Sequence, residues 1–279
     1  MDRALPAVLR HEATTVPGCE PLWHAGGRAG VLLLHGFTGS PWELRPLADA
    51  LVAAGYSVAL PLLAGHGTRV EDLDRTGWQD WLASARAALD HLAVRCDRVH
   101  FVGMSMGALL ALLLARQPIA APLRSVTLLA PAMALAPWQA AVIRTFGQVG
   151  HPKLLGKKPR DLADGLAPPA YAQLPVAATV RLLELMDVVQ ATAAPLAVPT
   201  MVLHGSEDPT IPAVLAQRLV TPLLGSAGIH TMIRGAGHLL LREKQAPQVL
   251  ARLRSAMEVL EPYGPDAAGP VPLGRQATS

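Results

Sequence analysis

Apolar residues fall along this chain in short uninterrupted runs, separated by longer stretches where they recur every three or four positions. The short runs are GVLLLHG from Gly30, YSVALP from Tyr56, RVHFVG from Arg98, SVTLLA from Ser125, PTMVLHG from Pro199 and IHTMIRG from Ile229. Such runs predict strands covered on both faces. Between them, PWELRPLADALVAAG has Pro41 in a first turn and Gly55 as a stop. Trp78, Trp81, Leu82, Ala85, Leu89 and Leu92 share helical spacing. Further helices are expected from Met106, from about Pro212, and up to a last one ending near Leu260. Strands alternating with helices predict an α/β fold with a mainly parallel sheet, wound by right-handed crossovers.

One stretch breaks this rhythm. From Pro137 to Ala194 no strand pattern is evident, and helical pieces WQAAVIRTFGQV and AATVRLLELMDVVQ flank a segment dotted with Pro and Gly. So long a departure inside a compact domain calls for a purpose. The preferred reading is a small helical cap inserted between two strands; a second helical layer on the sheet is the alternative. The expected organisation is therefore a core over 21–136 and 195–260, a cap over 137–194, and terminal segments 1–20 and 261–279. The last of these, rich in Gly, Pro and Ala, reads as a frayed, disordered end.

Composition narrows the function classes. With 51% hydrophobic residues in 279, the chain has enough apolar surface for a large core. The net charge is +3, but the basic residues are scattered and the densest run, GKKPR at 156–160, reads as a surface turn. Nucleic acid is not an expected partner. Cys19 and Cys96 stand alone, without a ligand spacing, so neither a disulfide framework nor a structural metal is expected. MDRALPAVLRHEATTVPG lacks a continuous apolar stretch, and the longest apolar run, Ala108–Ala115, is far too short to cross a bilayer. A cytoplasmic location without stable membrane insertion is the expectation.

The candidate chemistry starts at GMSMG, residues 103–107, where the RVHFV strand gives way to a leucine-alanine helix. A turn tight enough to push a serine outward crowds its backbone, and residues two positions away must be small. Gly103 and Gly107 meet that need. The hydroxyl of Ser105 then lies beside a helix N-terminus, whose free N–H groups favour negative charge.

A serine nucleophile needs a base, and the base an orienting acid. Asp208 and Glu207 both follow one later strand, and His238 follows the next, in a loop with Gly235 and Gly237. Loops after parallel strands share one edge of the sheet, so these residues open towards the serine. Asp208 is preferred as the acid, with Glu207 the rival; an Asx turn before Pro209 would also account for Asp208. His204 and His230 lie in strand-like runs and read as packed residues. Two N–H donors for an oxyanion are expected from Met106 and from Phe37, in HGFTGS.

Taken together, LHGFTGSPWELRPLADAL, GYSVALPLLAGHGT, TGWQDWL, GMSMG and GSEDPTIP resemble the bacterial carboxylesterase and monoacylglycerol lipase branch of the α/β-hydrolases. The resemblance runs from about Val31 to Leu260. It implies an α/β-hydrolase fold and a serine esterase that works through an acyl-enzyme, with no cofactor and no metal. By position it implies Ser105 as nucleophile, Asp208 as acid, His238 as base, and Phe37 and Met106 as oxyanion donors. The chain departs from the family pattern at Met104 and Ala108, where leucine and glycine are more usual, and most of all in the cap. His66, in GHGT, has no assigned role beyond a structural hydrogen bond.

The expected substrates are short to medium acyl esters and monoacylglycerols. Trp138, Ile143, Phe146 and Met186, with Met104 beside the serine, are the candidate lining of an apolar acyl site. Thioester, carbon–carbon and perhydrolysis chemistry stay open on the same triad, as does a non-catalytic binding role. The expected partner is a small-molecule ester; a homodimer is left open.

Overall fold

A computed structural model describes residues 15–148, 155–156, 162, 168–169, 171, 173–262 and 264–266. The six apolar runs all become strands of one sheet. In chain order these are β2 (Ala29–Leu34), β3 (Ser57–Leu60), β4 (Arg98–Met104), β5 (Leu123–Leu129), β8 (Thr200–Gly205) and β9 (Gly228–Ile233). A short additional strand, β1 (Leu22–His24), joins them, and the order is β1-β3-β2-β4-β5-β8-β9. Only β1 runs antiparallel, against β3. β4 is fully buried and pairs with β2 and β5 along its length, as a strand covered on both faces must be.

Successive residues of a strand face opposite sides, and the two core layers follow that alternation. Leu32, Leu34 and Phe101 join a cluster with helices α3 (Trp78–Ala93) and α4 (Met106–Leu114). Val31, Leu33, Val102 and Met104 join another with α1 (Arg45–Ala53) and α8 (Ala246–Leu260). Every residue of α4 is buried, which explains why MGALLALLL shows no polar face. Two short helices complete the core: α2 (Val70–Asp74) and α7 (Ala213–Val220). Pro41–Leu44 forms a 3₁₀ turn ahead of α1, so the helix expected from Pro41 starts at Arg45.

The stretch between β5 and β8 contains α5 (Pro137–Gln148) and α6 (Val176–Ala191), at the two helical pieces the sequence suggests. It also contains a strand pair the apolar pattern does not suggest, β6 (Leu155–Gly156) with β7 (Gln173–Leu174). At two residues each, these strands are too short to leave a periodicity. Leu182, Leu183, Leu185, Met186 and Val189 of α6 are buried in the cluster that holds α4. The rest of the basic run at 156–160, beyond the backbone of Gly156, lies outside the described residues.

The described residues at the start of the terminal segment, 261–262 and 264–266, are held to the sheet. Glu261 is buried, the Pro265 carbonyl accepts the Ala29 N–H at 2.9 Å, and the Gly264 carbonyl accepts from Arg98 at 3.2 Å. Polar and small residues in this segment serve hydrogen bonds to the sheet, which a compositional reading does not register. Residues 267–279 lie outside the described residues. No described helix is long and apolar enough to cross a membrane.

Candidate active site

β4 ends at Met104 and α4 begins at Met106, so Ser105 alone makes the turn. Its φ is +54° and its ψ −115°, in the half of the map that a side chain disfavours. The backbone on either side holds it there. Ser105 N–H donates to the Leu129 carbonyl at 2.9 Å, and its carbonyl accepts from Ala108 and Ala132 at 3.2 Å each. The two flanking glycines have a steric cause. A Cβ on Gly103 would lie 2.3 Å from the Gly107 carbonyl oxygen, and one on Gly107 would lie 2.1 Å from that of Leu34.

His238 and Asp208 reach the serine from the loops after β9 and β8. His238 Nε2 is 3.0 Å from Ser105 Oγ, and His238 Nδ1 is 2.7 Å from Asp208 Oδ2. An ionised carboxylate only accepts, so Nδ1 carries the proton and Nε2 is left to accept from the serine hydroxyl. The Asx turn and the contact with the imidazole are compatible uses of one side chain. Asp208 Oδ1 accepts the N–H groups of Thr210 at 2.8 Å and Ile211 at 3.0 Å, leaving Oδ2 for the imidazole. Glu207, the rival, is exposed.

The electrostatics favour a charged Asp208. Burial alone would raise its pKa. Hydrogen bonds from His204 and His238, the charge on His238 and the Ile211 N–H outweigh that, and hold the carboxyl well below the usual carboxylate range. His204 is buried as its strand position suggests, yet it also touches Asp208. Its Nε2 lies 3.2 Å from Asp208 Oδ2 and 3.3 Å from the Ile211 carbonyl oxygen. His204 stands four residues before Asp208, but the loop that folds between them is invisible to strand patterning.

Met106 is the first residue of α4, and Phe37 lies in the loop after β2. Neither amide N–H has a hydrogen-bond acceptor among the described residues, which leaves both available to an oxyanion. The Phe37 ring packs 5.6 Å from Trp81 and 6.1 Å from His66, centre to centre. His66 also stacks edge-on with His35 and Trp81, and its Nδ1–H donates to the Ala64 carbonyl at 2.9 Å. GHGT thus helps to shelve the ring of Phe37. Two further carboxylates, Glu43 and Glu243, grip the same loops and carry no signal in the sequence, because their partners are backbone amides.

The candidate acyl-site residues occupy different surroundings. Met104 belongs to the buried cluster with Leu129, Ala130 and Leu239; Ile143 and Met186 are buried in the cluster with α3 and α4. Trp138 and Phe146 lie on α5 and are 69% and 37% exposed.

Comparison with known proteins bears on the family and the fold. Residues 31–253 match the model of the alpha/beta hydrolase family. A thermostable monoacylglycerol lipase from a Bacillus species is 31% identical over 245 residues, covering 88% of this chain and 96% of the relative. A carboxylesterase from Bacillus subtilis is 34% identical over 94 residues, 33% of this chain and 38% of that one. Among solved structures, a metagenome-derived lipolytic enzyme superimposes with a TM-score of 0.80 at 27% identity, over 88% of this chain and all of its own. The chain belongs to the alpha/beta hydrolase family, on its bacterial carboxylesterase and monoacylglycerol lipase branch.

Proposed function

We propose that this chain is a serine hydrolase that cleaves carboxylic esters of short to medium acyl chains, monoacylglycerols among them. The observation that carries the reading is the unbroken line of contacts from Asp208 through His238 to Ser105, at 2.7 and 3.0 Å. The sequence match along 96% of a Bacillus monoacylglycerol lipase supports the substrate class.

In this reading His238 Nε2 takes the hydroxyl proton as Ser105 Oγ attacks the ester carbonyl. Asp208 keeps the imidazole in the right tautomer and stabilises the imidazolium. The oxyanion that forms accepts from the Phe37 and Met106 N–H groups; a single donor of this kind is worth about 3 kcal/mol in the transition state. The imidazolium then protonates the departing alcohol, leaving an ester on Ser105. Water enters, His238 takes its proton, and the second tetrahedral intermediate releases the acid. As that intermediate collapses, the imidazolium returns its proton to Ser105 Oγ and the free serine is restored. The insert at 137–194 acts as the cap, offering Trp138 and Phe146 of α5 to the acyl chain while Ile143 and Met186 anchor it in the core.

The test crosses substrates with the serine. Wild-type protein is assayed on p-nitrophenyl esters of two to twelve carbons and on monoacylglycerols, beside Ser105→Ala. Expected are turnover that peaks at short or medium chains, labelling of Ser105 by a fluorophosphonate, and loss of both in the variant with the fold intact. Turnover retained by Ser105→Ala, or a wild type inert to esters and probe alike, overturns the reading.

A further inference from the structure

Two loops feed the reaction centre. One, 35–43, carries the Phe37 amide; the other, 234–243, carries His238. Each ends in a glutamate that turns back onto its own loop. Glu43 is buried and accepts the Gly36 N–H on Oε2 at 2.8 Å. Glu243 accepts two amides, Gly237 N–H on Oε2 at 2.5 Å and Leu239 N–H on Oε1 at 2.9 Å. Those are the residues on either side of His238.

The residues just before the two glutamates meet each other across 200 positions of sequence. The Arg242 guanidinium carbon stands 3.8 Å from the centre of the Trp42 ring. Arg242 Nε donates to the Trp42 carbonyl at 2.9 Å, and a second guanidinium N–H donates to the same oxygen.

We propose that Glu43 and Glu243, joined through Trp42 and Arg242, form a strut that sets the spacing between the oxyanion loop and the His238 loop. Both carboxylates are then positioning residues for the ester hydrolysis proposed above, on which their catalytic meaning rests.

The residue types suit the task. An ionised carboxylate presents acceptors only, so Glu243 can satisfy an amide on each oxygen, whereas a carboxamide there turns its NH₂ towards one of them. Hydrogen bonds to a charged acceptor are also roughly twice as strong as neutral ones. The planar guanidinium can stack on an indole while giving two N–H groups to one carbonyl, which an ammonium on a flexible stem does not reproduce. The spacing the strut fixes is one to which the rate is steep, since a shift of about 1 Å costs about 100-fold.

The experiment measures Glu43→Gln, Glu243→Gln, the double variant and Arg242→Met on p-nitrophenyl butyrate, separating kcat from KM. Each single variant is expected to lower kcat about tenfold with KM changed less than twofold. In the double variant the loss is expected to be smaller than the product of the two, because releasing one loop already releases the other. Unchanged kcat, a change in KM alone, or a fully multiplicative loss overturns the strut. Should a glutamate variant fail to fold, Arg242→Met leaves both carboxylates in place and decides alone, through kcat and the exchange below.

A second readout is independent of turnover. Amide hydrogen exchange in Arg242→Met is expected to quicken at both Gly36 and Gly237. Faster exchange confined to 234–243, or in neither loop, overturns the strut even in a protein inert to esters. An inert wild type together with linked exchange instead overturns the esterase reading and leaves the strut standing.

Discussion

Gly107 lies against the end of β2, so close that a Cβ on it would stand 2.1 Å from the Leu34 carbonyl oxygen and 2.7 Å from that of His35. The first turn of α4 is thereby pressed onto the backbone that leads into HGFTGS. The elbow glycine bears on the loop that carries Phe37 as well as on the serine.

Gly107→Ala is expected to destabilise the protein by at least about 2 kcal/mol, towards the upper part of the overpacking range, because the obstacle is backbone and cannot swing aside. It also displaces Gly36 and Phe37, and ester turnover is expected to fall at least about 100-fold. Urea unfolding and kcat on one preparation check both. A variant of wild-type stability would mean that β2 and α4 separate without cost.

The strained serine gives a second, cleaner comparison. Ser105→Ala and Ser105→Gly both lack the hydroxyl, so neither contacts His238 through Oγ, and they differ in how they tolerate a φ of +54°. Glycine adopts that conformation freely and alanine does not. Ser105→Gly is expected to be the more stable by about 1 kcal/mol, with both inactive. Equal unfolding midpoints would show that the turn stores no strain.

Which parts of this site could be read in the sequence follows from how local each cause is. The elbow is local: its two glycines and its serine lie within five residues, and the strand before and the helix after are patterned. Asp208 and His238 are distant from Ser105, yet the rule that loops after parallel strands share one edge brings them within reach. No such rule covers Glu43, Glu243 or the contact of His204 with Asp208. Those residues act through backbone amides or through a fold within one loop, which no spacing or periodicity in the sequence records. The first residues of the terminal segment escape the sequence for the same reason. Its composition is that of a tail, while Glu261, Gly264 and Pro265 are held by partners on strands β2 and β4.

Helix α5 offers a test of what anchors the insert. Ile143 is buried, Trp138 is 69% exposed, and the Arg144–Asp187 pair to α6 spans 2.7 Å with both side chains open to water. An exposed pair of this kind contributes less than about 1 kcal/mol. Ile143→Ala is expected to cost about 3 kcal/mol, whereas Trp138→Ala and Asp187→Asn shift stability by less than about 1 kcal/mol. If Trp138 faces the acyl chain, its variant shows an altered KM on longer esters at unchanged stability. Chemical denaturation and a chain-length series separate the two effects.

The last prediction concerns acid. Glu261 caps α8 and is buried beneath the sheet, where Arg98 Nε donates to Oε2 at 2.7 Å and His100 Nε2 to Oε1 at 3.0 Å. Burial alone would raise its pKa. The hydrogen bonds from His100 and Arg98, with their charges, outweigh that and pull it from 4.5 down to about 2. A carboxyl whose folded pKa is depressed stabilises the fold above its unfolded pKa, and that contribution drains away as the pH falls from about 4.5 towards 2. Asp208, depressed in the same direction, adds a loss of its own that begins below the ordinary aspartate value and runs to more acid pH. Glu261→Gln leaves Arg98 buried without its counter-charge and is expected to cost about 3 kcal/mol at pH 7. The gap between wild type and variant is then expected to narrow steadily below pH 4.5, because protonation makes the wild-type side chain neutral as well. Urea midpoints for both proteins between pH 7 and pH 3 check this. A gap that stays constant across that range would assign the stabilisation to packing of the side chain, with its charge contributing nothing.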